Sequence, residues 1–206
     1  MKVHPTAIVE DGVQIGAGSV IWDNVHLRGP SRIGSDCIIG EKTYVAYDVD
    51  IGDRCKINAF VYICTAVTLE QGVMISAGTT FTNDRFPRAT TPDLAALAPS
   101  EPDENTEVTL VREGATIGAR ATIGPGITIG RFAMVGMASV VTASVPDFHL
   151  VLGQPARSVA IVARNGTPLL RFAPGETPPD AELDDVDGYR YQVRGGCVRE
   201  LGRCQP

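Results

Sequence analysis

An amide and a carboxylate stand side by side at Asn83-Asp84, followed at once by Arg85 and, a little further on, by Arg88. An asparagine can orient a nucleophile and an aspartate can take its proton, while guanidinium groups suit a phosphate or carboxylate. Acyl transfer from a thioester to an amine has these needs: a neutral amine held close, and donors for the developing oxyanion. The same four residues can equally form local Asp–Arg pairs in a loop. Of the histidines, His26 is the one placed for acid or base work, because His4 lies in the first turn and His149 beyond the last repeat. A lone histidine can also be purely structural.

What must position these groups is legible in a period of six. Large apolar residues recur without a slip from Val3 through Val9, Ile15, Ile21 and Leu27 to Ile75 and Phe81, and again from Val111 to Val141. Small or β-branched residues recur four positions later, among them Ser19, Cys37, Thr43 and Cys55. A period of six fits neither an amphipathic helix nor a simple strand and points to an all-β parallel β-helix. Three hexapeptides make one triangular coil, so each residue lies under the one 18 further on, at a spacing of roughly 4.8 Å. The stacking places His26, Tyr44, Tyr62 and Thr80 in one outward column, with Trp22, Asn58 and Ser76 in a neighbouring one. Those aromatic residues can serve a contact between subunits, a pocket, or both. The column ends where residues 82–110 interrupt the period with four prolines, predicting an inserted loop on the binding side. If the loop folds back, it brings Asn83, Asp84, Arg85 and Arg88 to Asn58, Tyr44, Tyr62 and His26.

The predicted organisation is a hexapeptide β-helix over residues 1–146, interrupted by the loop, and a C-terminal cap with an irregular extension over 147–206. Within the cap, Ser158-Val159-Ala160-Ile161-Val162 reads as a short helix or strand. A net charge of −6 argues against a nucleic-acid partner. Six arginines against two acids between Arg112 and Arg171 favour a polyanionic small molecule on the C-terminal coils, unless they are merely scattered surface charge. The start of the chain has no charged-then-apolar leader, and no apolar run reaches the roughly 18 residues of a membrane span, so a cytoplasmic location without membrane contact is expected. Cys37 and Cys55, one coil apart, are expected to be reduced interior residues. Flat outer sides call for oligomerisation.

The motifs His4-Pro5-Thr6-Ala7, Ile21-Trp22 through His26, Phe81-Thr82-Asn83-Asp84-Arg85-Phe86-Pro87-Arg88 and Gly153-Gln154-Pro155-Ala156-Arg157 resemble those of the left-handed β-helix acyltransferases, and within them the nucleotide-linked amino-sugar N-acetyltransferases. The resemblance covers about residues 1–163. It implies a left-handed coil, a homotrimer, acetyl-CoA bound along the groove between two subunits, and an amino-sugar acceptor toward the loop. It further implies that backbone amides around Gly136 and Ala138 take the pantetheine arm and that Arg157 and Arg164 take the nucleotide phosphates. Catalysis then falls to Asn83, Asp84 and His26, with Asn58, Tyr44, Tyr62, Arg85 and Arg88 binding the acceptor. Relatives carry an amide run after Lys-Ile, whereas Lys56-Ile57 is followed here by Asn58-Ala59-Phe60, which leaves only Asn58. Some relatives end in a zinc ribbon; Cys197 and Cys204 alone cannot close a four-ligand site, so no metal is expected. The alternatives are an O-acetyltransferase on a sugar or small alcohol, for which His26 would be the base, and a non-catalytic ligand-binding trimer. A zinc hydratase of the same fold would need three histidines at matching coil height, which His4, His26 and His149 do not offer.

Overall fold

The structure, a computed structural model, describes residues 1–99, 101–103 and 106–203. The hexapeptide period becomes a stack of parallel strands on three faces. One face runs from Lys2–Val3 through Val20–Ile21, Ile38–Ile39 and Lys56–Ile57 to Met134–Val135; a second runs from Ile8–Val9 to Val140–Val141; the third runs from Val13–Ile15 to Thr128–Ile129. The register is the predicted one: His26 pairs with Tyr44 and Tyr44 with Tyr62, one coil apart. Leu27, Ile39, Val45, Ile51, Ile57, Ile63 and Ile75 are fully buried. Each such side chain contributes roughly 1.5–3 kcal/mol of apolar burial. The small positions pack between them; the Ser31 and Thr109 hydroxyls are buried there without a partner among the described residues, whereas others are bonded inside the column. The Ser19 hydroxyl donates to the Gly34 carbonyl at 2.8 Å and accepts from the Cys37 amide at 3.0 Å.

The corners show a second six-residue rhythm. Asn24, Asp36, Lys42, Asp48, Arg54, Phe60 and Ala66 all take φ between 53° and 62°, as do Arg120 at 57° and Ala138 at 55°. Such a conformation is unusual for residues with a Cβ. Here it is the turn that joins one face to the next, held by coil-to-coil bonds such as Arg54 N–H to the Ser35 carbonyl at 2.8 Å.

The inserted segment leaves the column after Thr80–Phe81 and returns at Thr109–Val111, whose residues pair with Val67–Leu69 as if nothing intervened. It thus replaces one corner between the second and third faces. Its last two predicted residues, 109 and 110, are in fact strand.

The C-terminal part corrects the sequence reading in two ways. The coil stack does not stop at residue 146: His149–Gly153 adds a further strand, pairing Leu150 with Met134 and Val151 with Val135. The offset there is shorter than in the other coils, so the six-residue count had lost it. Ala156–Val162 is a strand, antiparallel to His149–Gly153, and Pro168–Arg171 follows it. Nor is the extension irregular, since Ala181–Asp184, Tyr189–Arg194 and Cys197–Arg203 form a three-stranded antiparallel sheet. Tyr191 and Val193, alternating along its middle strand, are buried against Phe148 and Ile161 at the end of the column. Two-residue alternation over one short strand among Pro and Asp residues is a faint signal, and packing onto the open end of the solenoid supplies what the local sequence lacks.

Candidate functional site

The outward column and the inserted loop enclose a cleft of about 970 Å³, lined on the solenoid side by Arg28, Tyr44, Tyr47, Tyr62 and Cys64 and on the loop side by Asn83, Asp84, Arg85, Arg88 and Glu107. Tyr44 and Tyr62 stack nearly parallel, with ring centroids 5.3 Å apart at 7°, and His26 meets Tyr44 edge-on at 5.4 Å. The stacking comes directly from coil register, because residues one coil apart lie within ring-stacking distance. Tyr62 is 45% exposed. Partial burial raises its hydroxyl pKa.

On the loop side, Asp84 Oδ1 accepts the Phe86 amide at 2.8 Å, which turns the chain, and Asp84 lines the cleft. Asn83 lines the same wall, and its carbonyl accepts the Glu107 amide at 3.3 Å, tying the two ends of the loop together. Arg85 forms a two-pronged pair with Glu107, at 2.8 and 3.1 Å. The local ion pair is therefore what forms at Arg85, and its charge is compensated before any ligand arrives. Glu107 reaches it by lying over Gly126, whose φ of 67° and missing side chain leave the space; a Cβ there would collide with the carboxylate. Arg88 donates only to the Pro87 carbonyl, at 2.8 Å, and has no carboxylate partner among the described residues. It is the better-placed cation for an anionic ligand.

His26 sits at the foot of this column, outside the cleft lining, with Nε2 2.7 Å from Glu10 Oε1. Glu10 also pairs with Arg28 at 3.3 Å. The bond from His26, with help from Gly29 and Arg28, holds the Glu10 carboxyl below its ordinary pKa. Arg28 lies over the Tyr47 ring at 5.3 Å. The neighbouring Tyr44 hydroxyl and Glu10 carboxylate raise its pKa further. Glu10, Arg28 and Tyr47 were missed by sequence reasoning, yet for the first two the signal existed: Glu10, Arg28, Ala46, Cys64 and Thr82 are successive members of one stacked column, each following an inward apolar residue, with Tyr47 next to it in the chain.

Asn58 is not brought to the cleft. It stands at a different corner, where its carbonyl accepts the Thr43 hydroxyl at 3.0 Å. The C-terminal candidates separate too. The amides of Gly136 and Ala138 are already bonded to the Val151 and Ala119 carbonyls, at 2.9 and 2.8 Å, and the Ala138 carbonyl accepts the Gln154 side chain at 2.7 Å. Those two N–H groups belong to the coil ladder and cannot also serve a ligand. Arg164 is held by Glu200 at 2.8 and 3.0 Å and lies over Phe132 at 4.5 Å. It fastens the C-terminal sheet to the last coil, a role that required the extension to be folded. Arg157 alone of the four lines a cavity, of about 610 Å³, between the last coils and the C-terminal sheet.

Cys37, Cys55 and Cys64 are buried free thiols. The contact with Cys37, together with burial, pushes the Cys55 thiol up. Burial pushes the Cys64 thiol up to about 12. Cys197 is exposed, and Cys204 lies outside the described residues. Among the described residues no three His, Cys, Asp or Glu side chains are grouped to hold a metal ion.

The bacterial transferase hexapeptide model, of six repeats, matches residues 12–47, and the hexapeptide repeat of succinyl-transferase matches 30–65 and 113–143. A dTDP-3-amino-3,6-dideoxy-alpha-D-galactopyranose 3-N-acetyltransferase from Aneurinibacillus thermoaerophilus is 37% identical over 93 residues, 45% of each chain. The bifunctional protein GlmU of Rubrobacter xylanophilus is 27% identical over 184 residues, 73% of this chain and 39% of its own. The chain thus spans under half the length of these curated relatives. Among solved structures, a single-site mutant of AntD, an N-acyltransferase from Bacillus cereus in complex with dTDP and coenzyme A, superposes with a TM-score of 0.63 at 21% identity, covering 79% of this chain and 94% of that one. Repeat, coil register and family matches agree: the chain is a hexapeptide-repeat β-helix protein.

Proposed function

We propose that the protein is an acetyl-CoA-dependent N-acetyltransferase that acylates the amine of a nucleotide-linked amino-sugar, working as a cytoplasmic homotrimer without a metal. The observation that carries this reading is the cleft in which Asn83 and Asp84 face Tyr44 and Tyr62. A sugar amine placed there has an amide to orient it and a carboxylate to take its proton. The tyrosine faces suit the flat or apolar side of a sugar or base, and Arg88 suits a phosphate. The acyl carbon passes from sulfur to nitrogen, and the amine proton leaves toward Asp84. The Aneurinibacillus relative, by name a dTDP-amino-sugar N-acetyltransferase, and the AntD complex with dTDP and coenzyme A support the choice of nucleotide and thioester. The outward Trp22 and Tyr62, 43% and 45% exposed, support burial against a second copy. The test is acetyl-CoA turnover with a panel of dTDP- and UDP-amino-sugars, together with sedimentation. Release of CoA with at least one amino-sugar and a trimeric mass support the reading; silence across the panel with CoA bound would leave the ligand-binding alternative standing.

A further inference from the structure

A second constellation lies far along the chain from the loop cleft. His149, buried, and Ser158, half-buried, both line the 610 Å³ cavity between the last coils and the C-terminal sheet. His149 Nδ1 is 2.9 Å from Ser158 Oγ, and its Nε2 is 3.1 Å from the Gly196 carbonyl oxygen. A carbonyl can only accept, so Nε2 must carry the proton. Burial lowers the pKa of this imidazole and favours its neutral form. A neutral ring protonated on Nε2 has a lone pair on Nδ1, and the Ser158 hydroxyl therefore donates to it. That is a serine hydrogen-bonded to a base whose tautomer is set by a third group.

The backbone is arranged to produce the pairing. In the hairpin of His149–Gly153 with Ala156–Val162, Leu150 faces Ala160 but Val151 faces Ser158, so Val159 is an extra residue in the ladder. Without that bulge Ser158 would project from the opposite face to His149; with it, both share one face. Gly196 belongs to the turn of the C-terminal sheet, so the acceptor that sets the tautomer comes from the extension rather than from the hexapeptide coils.

We propose that Ser158 is a base-activated nucleophile in a second site, with His149 as its base and a small carboxylic ester as the substrate class. Ser158 Oγ bonds to the acyl carbon while its proton passes to His149 Nδ1. The ester C–O bond breaks, and the leaving alcohol takes that proton. Water then gives a proton to the same Nδ1 and attacks the acyl-serine, releasing the carboxylic acid, and the proton returns to Ser158. The chemistry is independent of acetyl transfer at the loop cleft and needs neither CoA nor an amino-sugar.

The test uses the full chain with p-nitrophenyl acetate and a fluorophosphonate probe, followed by peptide mapping. The expected result is p-nitrophenol release and a single adduct on Ser158. Ser158→Ala should remove both, and His149→Gln should slow them by ~10²-fold or more, with thermal melting confirming that each variant is folded. Mapping the adduct on the unaltered protein requires no variant, so the proposal remains open to refutation even if one fails to fold. An adduct absent from Ser158, or release rates equal to buffer, overturns it.

Discussion

Replacing Asp84 by asparagine separates the chemistry of the loop cleft from its architecture. Asp84 Oδ1 accepts the Phe86 amide at 2.8 Å, and an asparagine carbonyl oxygen can accept the same bond. The turn and the walls of the cleft should therefore persist in Asp84→Asn, while the ability to take a proton from a bound amine is lost. A positioned acid or base is worth about 10²–10⁴ in rate. The variant should thus lose at least ~10²-fold in kcat, about 2.7 kcal/mol of transition-state stabilisation, with KM for the acceptor little changed. Asp84→Ala removes both the proton acceptor and the turn's bond, so it should lose a similar factor in kcat and raise KM as well. The assay is steady-state CoA release with the best amino-sugar from the panel, alongside a melting curve. An Asp84→Asn enzyme within about twofold of the unaltered protein would show that proton removal does not pass through Asp84.

Three further outcomes follow from the coil. Ile57 is fully buried in the column, so Ile57→Ala should cost about 2–5 kcal/mol and lower the urea midpoint without changing the assembly; a loss under about 1 kcal/mol would contradict close packing there. Cys37 and Cys55 lie inside the solenoid, and a thiol reagent should label Cys197 quickly but leave those two untouched until denaturant is added. Glu10 has its pKa lowered by the His26 bond, so its contribution to stability is present above the ordinary value of 4.5 and fades as pH falls through the lower folded value. Glu10→Gln should therefore flatten the decline in melting temperature between about pH 5 and pH 3; an unchanged slope would mean that the Glu10–His26 pair does not form.

The column of the solenoid was legible because its physics is periodic. One inward apolar residue in every six dictates the coil, and the 18-residue stack then places His26 against Tyr44 and Tyr44 against Tyr62 without further information. The loop's position was legible for the same reason, since the phase of Val111 shows where the column resumes. Its internal contacts were not: nothing local says that Arg85 turns to Glu107 while Arg88 meets no carboxylate among the described residues, because that depends on Glu107 crossing Gly126 of a later coil. The Gly136 and Ala138 N–H groups bond within the stack, Gly136 to the Val151 carbonyl of a strand beyond the six-residue count and Ala138 to the Ala119 carbonyl of the neighbouring coil. At the C-terminus the sequence by itself determined little. Whether Arg164 meets a ligand or Glu200, and whether Ser158 faces His149 or the opposite side, was decided by a bulge and by a short sheet that gains its stability only from packing onto the end of the column.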